Sequence, residues 1–226
     1  MKIPFFMKTI LCFGDSNTWG WDPVASAQSS APVRHPHAVR WPGVLRNHLG
    51  SGFHIIEEGQ SGRTTVHDDP LEGSRNGRVY LEPCLESHQP LDLVVMMLGT
   101  NDLKTRFGLP AGDVALGVEA LVKIIQRSKS GPQEQPPQVL LIAPPAVGDL
   151  SHLPALSDKF ARATEKSLQL PELYRQVAQS YGCAFLDGQL HTRPSALDGL
   201  HLEAAEHVRL GQAVAEMISK LNGLNK

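Results

Sequence analysis

Five short strand-forming runs alternate along the chain with stretches of helical spacing. Residues 9–13 (TILCF) stop at Gly14, as a buried strand does, and residues 54–57 give a second short strand. Residues 91–98 (LDLVVMML) are nearly all apolar, which fits a central strand covered on both faces. Residues 139–143 form a fourth run, stopped by Pro144 and Pro145, and residues 184–186 a fifth. Helical spacing follows Pro42 over residues 41–49. It returns over 113–128, where apolar residues repeat at Val114, Leu116, Val118, Leu121, Val122, Ile124 and Ile125. Residues 170–181 and 203–221 predict two further helices, with Pro171 tolerable in the first turn of the former. Residues 22–40, 66–81, 130–137 and 146–166 read as loops or connections.

This rhythm argues for an α/β fold with a mostly parallel sheet and helices on both faces. Ligands of such sheets bind beyond the carboxyl ends of the strands. Three polar clusters directly follow a predicted strand there: Gly14-Asp15-Ser16-Asn17, Gly59-Gln60-Ser61-Gly62 and Gly99-Thr100-Asn101-Asp102. A fourth, Asp198-Gly199-Leu200-His201, lies between the last strand and the last helix. The topology alone brings all four to one edge.

Each cluster has an ordinary reading. Ser16 serves as a helix cap, Asn101 as a turn residue, Gly62 as a turn glycine, and Asp198 with His201 as a cap beside a surface residue. Together they supply a hydroxyl nucleophile, a base, an acid that orients the base, and donors for a tetrahedral oxyanion. Asp198 and His201 are three apart, so on a helical turn they face the same way and leave the far imidazole nitrogen for Ser16. Ser61 is a rival hydroxyl that lacks this context. The Gly-x-Ser-x-Gly elbow is missing, as are a phosphate loop and metal motifs such as His-Glu-x-x-His. Glu57 and Glu58 are adjacent and point apart on a strand, which disfavours a glycosidase pair. His35, His37, His67, Asp68 and Asp69 have no ligand spacing and read as solvated loop residues. No metal or cofactor is expected.

Composition narrows the classes further. The 226 residues, 41% of them apolar, suffice for one large domain spanning 1–226. The net charge is −2 with the charges interspersed, so there is no basic stripe for nucleic acid or an anionic membrane. Cys12, Cys84 and Cys183 are odd in number and far apart, which suits a reduced, cytoplasmic setting. The apolar start, with residues 3–6 and 10–13 interrupted by Lys8, is too short for a secretion signal or a membrane span.

Long strings around the clusters resemble the SGNH hydrolases, or GDSL esterases, nearest their arylesterase and acyltransferase (perhydrolase) branch. These strings are ILCFGDSNTWGW (10–21), RWPGVL (40–45), IIEEGQSGRTT (55–65), QPLDLVVMMLGTND (89–102) with Lys104, and DGLHL (198–202). The resemblance implies a flavodoxin-like three-layer sandwich with about five parallel strands. It makes Ser16 the nucleophile, His201 the base and Asp198 its partner. The Ser16 and Gly62 N–H groups and the Asn101 side chain become the oxyanion donors. Asn17 replaces the usual leucine, Gly62 stands where alanine is frequent, and residues 146–166 match their counterpart poorly. The implied reaction is hydrolysis of short-chain aryl or alkyl esters through an acyl-serine, with transfer to alcohols or peroxide. Trp19 and Trp21 are candidates to wall the acyl slot, and Trp21 and Lys104 are taken as pocket residues. Carbohydrate O-acetylesterase activity is the alternative within enzymes, and an inactive ester- or glycan-binding relative the alternative outside them. The resemblance also implies a homo-oligomer.

Overall fold

A computed structural model describes residues 7–224, so the apolar residues 3–6 lie outside the described part. Five strands, β1 (Lys8–Gly14), β2 (Phe53–Gly59), β3 (Leu93–Met97), β4 (Gln138–Ala143) and β5 (Ala184–Asp187), pair in parallel in the order β2-β1-β3-β4-β5. The helices are α1 (Ser16–Trp19), α2 (Pro23–Ser26), α3 (Trp41–Leu49), α4 (Gly77–His88), α5 (Ala111–Arg127), α6 (Pro154–Lys159), α7 (Ala163–Ser167), α8 (Leu170–Tyr181) and α9 (Ala204–Ile218).

Strand side chains alternate between faces, and here both faces are buried. Leu11, Phe13, Val94, Met96 and Leu141 enter one core, covered by α4, α5 and α8. Ile10, Cys12, Leu93, Val95, Met97, Leu140 and Ile142 enter the other, covered by α3 and α9. Burying each such aliphatic side chain is worth about 1.5–3 kcal/mol, which is why the strands read as unbroken apolar runs. The expected flavodoxin-like sandwich is the observed one. Among the described residues no helix is long and apolar enough to cross a membrane.

The strand order reverses between β1 and β3, which opens a crevice at their carboxyl ends. Ser16, Gly62 and Asn101 all lie in segments leaving the sheet at this edge.

Three expected loops carry helices. Residues 66–81 do not stay irregular: α4 starts at Gly77, with the Asn76 side chain accepting from the Arg78 N–H at 3.0 Å. Its buried residues Gly77, Leu81, Cys84 and Leu85 follow helical spacing. Pro83 sits on the solvent side, where water replaces the hydrogen bond that proline removes. The 146–166 stretch holds α6 and the start of α7, and the 22–40 stretch holds α2. Two residues expected to be solvated are buried. His35 lies against Asp22 at 3.1 Å, with Nε2 3.3 Å from the Leu202 carbonyl, and Asp69 sits in an ion-pair cluster. Each loop folds back on the sheet edge, so burial follows from tertiary placement rather than local polarity.

Candidate active site

Strand β1 ends at Gly14, and the chain turns at once into α1. Asp15 caps that helix by accepting the Asn17 N–H at 3.0 Å, so Asp15 and not Ser16 takes the capping role. Burial pushes the Asp15 carboxyl up to about 6, against the pull of the Asn17 amide. Ser16 becomes the first helical residue, and its N–H has no intrahelical acceptor. The turn therefore presents a hydroxyl and a free N–H together.

The His201 Nε2 lies 2.9 Å from Ser16 Oγ, and its Nδ1 lies 2.7 Å from Asp198 Oδ2. Asp198 Oδ1 accepts the Leu200 and His201 N–H groups, each at 2.9 Å. Burial raises the Asp198 carboxyl, but the hydrogen bond from His201 and the two amides more than offset it and hold it below the ordinary aspartate value. An ionised carboxylate only accepts. Nδ1 must then carry the proton, leaving Nε2 to accept the Ser16 hydroxyl. Trp21 stacks on the imidazole with ring centroids 4.8 Å apart and planes at 13°, which fixes the ring plane from the open side.

Asn17 adds a clamp that no local motif announces. Its Nδ2 donates to the Leu200 carbonyl at 3.1 Å and its Oδ1 accepts the Leu202 N–H at 3.0 Å. The side chain thus grips the backbone on both sides of His201 and ties it to the Ser16 turn. A leucine offers neither bond. Asn17→Ala strands a buried carbonyl and a buried N–H, and the expected loss is about 1–3 kcal/mol of stability. A urea midpoint unchanged from wild type would contradict the clamp.

Gly62 has φ 83°, in the left-handed region that glycine occupies without strain. Its N–H has no acceptor among the described residues. Asn101 Nδ2 donates one N–H to the Arg63 carbonyl at 3.1 Å, which leaves its second amide hydrogen for the crevice. Arg63 braces this corner. Its Nη1 donates to the Gly14 carbonyl at 2.8 Å and also to Glu58, and its guanidinium covers the Phe13 ring at 4.3 Å. Thr65 donates its N–H and its hydroxyl to Asp102, whose carboxyl burial pushes up to about 7. The loops after β2 and β3 are thereby locked together.

Ser16, Gly62, Asn101, Asp198 and His201 line one cavity of about 450 Å³. Trp21 and Lys104 line it as well, while Trp19 does not and instead packs under Arg34. Ser61 also lines it, without an imidazole partner. Sequence reasoning missed Glu72, Arg75, Leu156, Lys159 and Phe160, which line the same cavity. They come from the 66–76 loop and from α6 and its end, and no local spacing marks them. Lys104 is buried in the cavity wall, 3.1 Å from both Asp69 and Glu72. Burial raises Asp69 and Glu72, but their hydrogen bonds outweigh it and hold both at about 2. The donors to Asp69 are the Leu71 and Glu72 amides, Arg106 and Lys104; those to Glu72 are Lys159, Arg106 and Lys104. One group outside the cavity, Glu58, Cys84 and His88, brings metal-ligating atoms within 4.8 Å of one another. His88 Nε2 already lies 2.8 Å from Glu58 Oε1, and burial pushes the Cys84 thiol up to about 12, so the group stands as a hydrogen-bonded pair beside a neutral thiol.

A parallel sheet with a hydroxyl, an imidazole and a carboxylate in series at its carboxyl edge is the makeup of a serine ester hydrolase. Residues 12–209 match the GDSL-like lipase/acylhydrolase family, and the chain belongs to it. Solved structures agree. An aryl esterase from M. smegmatis is 40% identical, with a TM-score of 0.89 over 95% of this chain and 99% of its own. A carbohydrate acetylesterase from Sinorhizobium meliloti is 40% identical, with a TM-score of 0.89 over 94% of this chain and 98% of its own. An arylesterase, so described provisionally, from Agrobacterium tumefaciens is 38% identical, with a TM-score of 0.81 over 93% and 97%. A comparison with curated proteins finds no match.

Proposed function

We propose that the chain is a single-domain serine esterase that cleaves short-chain acyl esters with Ser16 as nucleophile. The observation that carries this is the unbroken series from Asp198 Oδ2 through His201 to Ser16 Oγ, with steps of 2.7 and 2.9 Å. Ser16 Oγ attacks the ester carbonyl as its proton passes to His201 Nε2. The carbonyl oxygen gains negative charge among the Ser16 and Gly62 N–H groups and the Asn101 amide, where each donor is worth about 10²–10³ in turnover. His201 then protonates the departing alkoxide. Water attacks the acyl-serine with His201 again as base and returns the hydroxyl. The imidazolium formed in each half is stabilised by Asp198 and by the Trp21 face.

A cavity of about 450 Å³, closed on one side by Trp21 and on another by Phe160 and Leu156, suits a short acyl group. Aryl or alkyl acetates are the preferred reading. The charged wall and the 40% identity to a carbohydrate acetylesterase favour a second reading, deacetylation of a sugar. The Trp21 side of the mouth is apolar, which would also let an alcohol compete with water for the acyl-enzyme. Assembly into a homo-oligomer would cover the mouth of the cavity. Three free cysteines fit a cytoplasmic location.

The test is a panel of 4-nitrophenyl esters of rising chain length, acetylated xylose, and vinyl acetate with benzyl alcohol. Acetate and propionate esters are expected to turn over fastest, with octanoate slower by tenfold or more, on the order of 1.4 kcal/mol lost to poor fit. Release of acetate from the sugar faster than from the aryl ester would favour the carbohydrate reading. Absence of benzyl acetate would remove transfer. Binding without turnover of any ester would leave a non-catalytic relative.

A further inference from the structure

The wall built around Lys104 and Glu72 holds more positive charge than its carboxylates balance. Lys104 lies 3.1 Å from Asp69 and from Glu72, Arg106 lies 2.6 Å from each, and Lys159 lies 2.8 Å from Glu72. Two carboxylates thus already serve three cations. Arg75 is a fourth, on the same wall, and it stands outside that network. Among the described residues its guanidinium makes no ion pair and no hydrogen bond, and its Nε is buried with no acceptor.

Arg75 lines the same cavity as Ser16 and His201 and lies against Gly62. Its Nε would be 3.0 Å, and its Cδ 3.2 Å, from a Cβ built on Gly62. The arginine therefore leans over Gly62, whose N–H has no acceptor among the described residues. Glu72 Oε2 is close to the same point at 2.7 Å, but that carboxylate is committed to Lys104, Arg106 and Lys159. The remaining carboxylate of the cavity, Asp198, is engaged by His201 and two amides. Neither carboxylate that lines the cavity pairs with Arg75. A planar guanidinium with unused donors matches a carboxylate, which accepts two parallel N–H bonds.

We propose that Arg75 binds an anionic group of the substrate, so that the site selects esters carrying a carboxylate near the scissile bond. This rests on the esterase reading of the same cavity and narrows its substrate class. The carboxylate can belong to the acyl half, as in a half-ester of a short dicarboxylic acid, or to the alcohol half, as in an acetylated acid.

The experiment measures kcat/KM for two matched pairs in wild type and in Arg75→Gln. Monoethyl succinate against ethyl butyrate tests the acyl half, and 4-acetoxybenzoate against phenyl acetate tests the alcohol half. The wild-type to variant comparison within each pair cancels intrinsic reactivity. Removing a charge-assisted contact is expected to lower the anionic-to-neutral ratio about 10- to 100-fold in one pair. The affected pair identifies the half that bears the charge. Arg75→Lys, which keeps the charge, is expected to retain more of the preference than Arg75→Gln. A ratio unchanged within twofold in both pairs overturns the proposal while leaving the esterase reading intact. No turnover of any of the four esters by wild type overturns both.

Discussion

Ser16→Ala is expected to abolish covalent labelling by a fluorophosphonate and to lower kcat for 4-nitrophenyl acetate about 10⁴-fold or more. The reagent phosphonylates a hydroxyl only when a base draws off its proton. Ser16 Oγ has such a base in His201 Nε2 at 2.9 Å. Ser61 shares the cavity and is the hydroxyl that would take the label if this assignment were wrong. Mapping the phosphonylated peptide in the wild type separates the two, since the residues fall in the segments after β1 and after β2. Label at Ser61, or full activity in Ser16→Ala, sinks the mechanism. Residual rate in the variant is expected from the oxyanion donors alone, because Gly62 and Asn101 do not depend on the lost hydroxyl for their positions. Gly62 is held by the loop geometry and Asn101 by its bond to Arg63.

The parts of this site visible in the chain are those fixed by strand ends. A buried parallel strand must be apolar throughout, and the first polar residues after it must lie at the sheet edge. That is why Ser16, Gly62 and Asn101 could be placed together from the order of runs and breaks. Asp198 and His201 needed one more step, their three-residue spacing. Helix α4 was hidden because Gly77 and Pro83 look like breakers, and because Val79 and Tyr80 are apolar yet exposed. Gly77 is there for close approach, since a Cβ would meet the Thr64 carbonyl at 2.7 Å. Arg75, Glu72 and Lys159 were illegible for a different reason. Their meeting depends on how two irregular segments fold over the cavity, and no periodicity records that. In the sequence Asn17 stands out only as a departure from the usual leucine. Its clamp on residues 200 and 202 bridges two ends of the chain, which a local motif does not encode.

Asp198→Asn should cost nearly as much as loss of the nucleophile, although it changes only one atom's chemistry. In the native site Oδ1 is pinned by the Leu200 and His201 amides at 2.9 Å, and Oδ2 faces His201 Nδ1 at 2.7 Å. In the variant the two amides still require an oxygen, so the asparagine carbonyl takes the Oδ1 place. The NH₂ group then faces Nδ1 and donates to it. Nδ1 must become the unprotonated nitrogen, and the proton moves to Nε2, where it meets Ser16 instead of accepting from it. The imidazole keeps its position and loses its function as base. The expected fall in kcat is about 10⁴-fold, as the wrong tautomer produces in serine proteases. Fluorophosphonate labelling should slow to a similar degree. A full Asp198→Ala truncation also frees the two amides and is expected to lower Tm, whereas Asp198→Asn keeps them bonded and leaves Tm within a few degrees of wild type. Turnover within tenfold of wild type in Asp198→Asn would mean that the carboxylate does not set the tautomer, and the charge series from 198 to 16 would no longer account for catalysis.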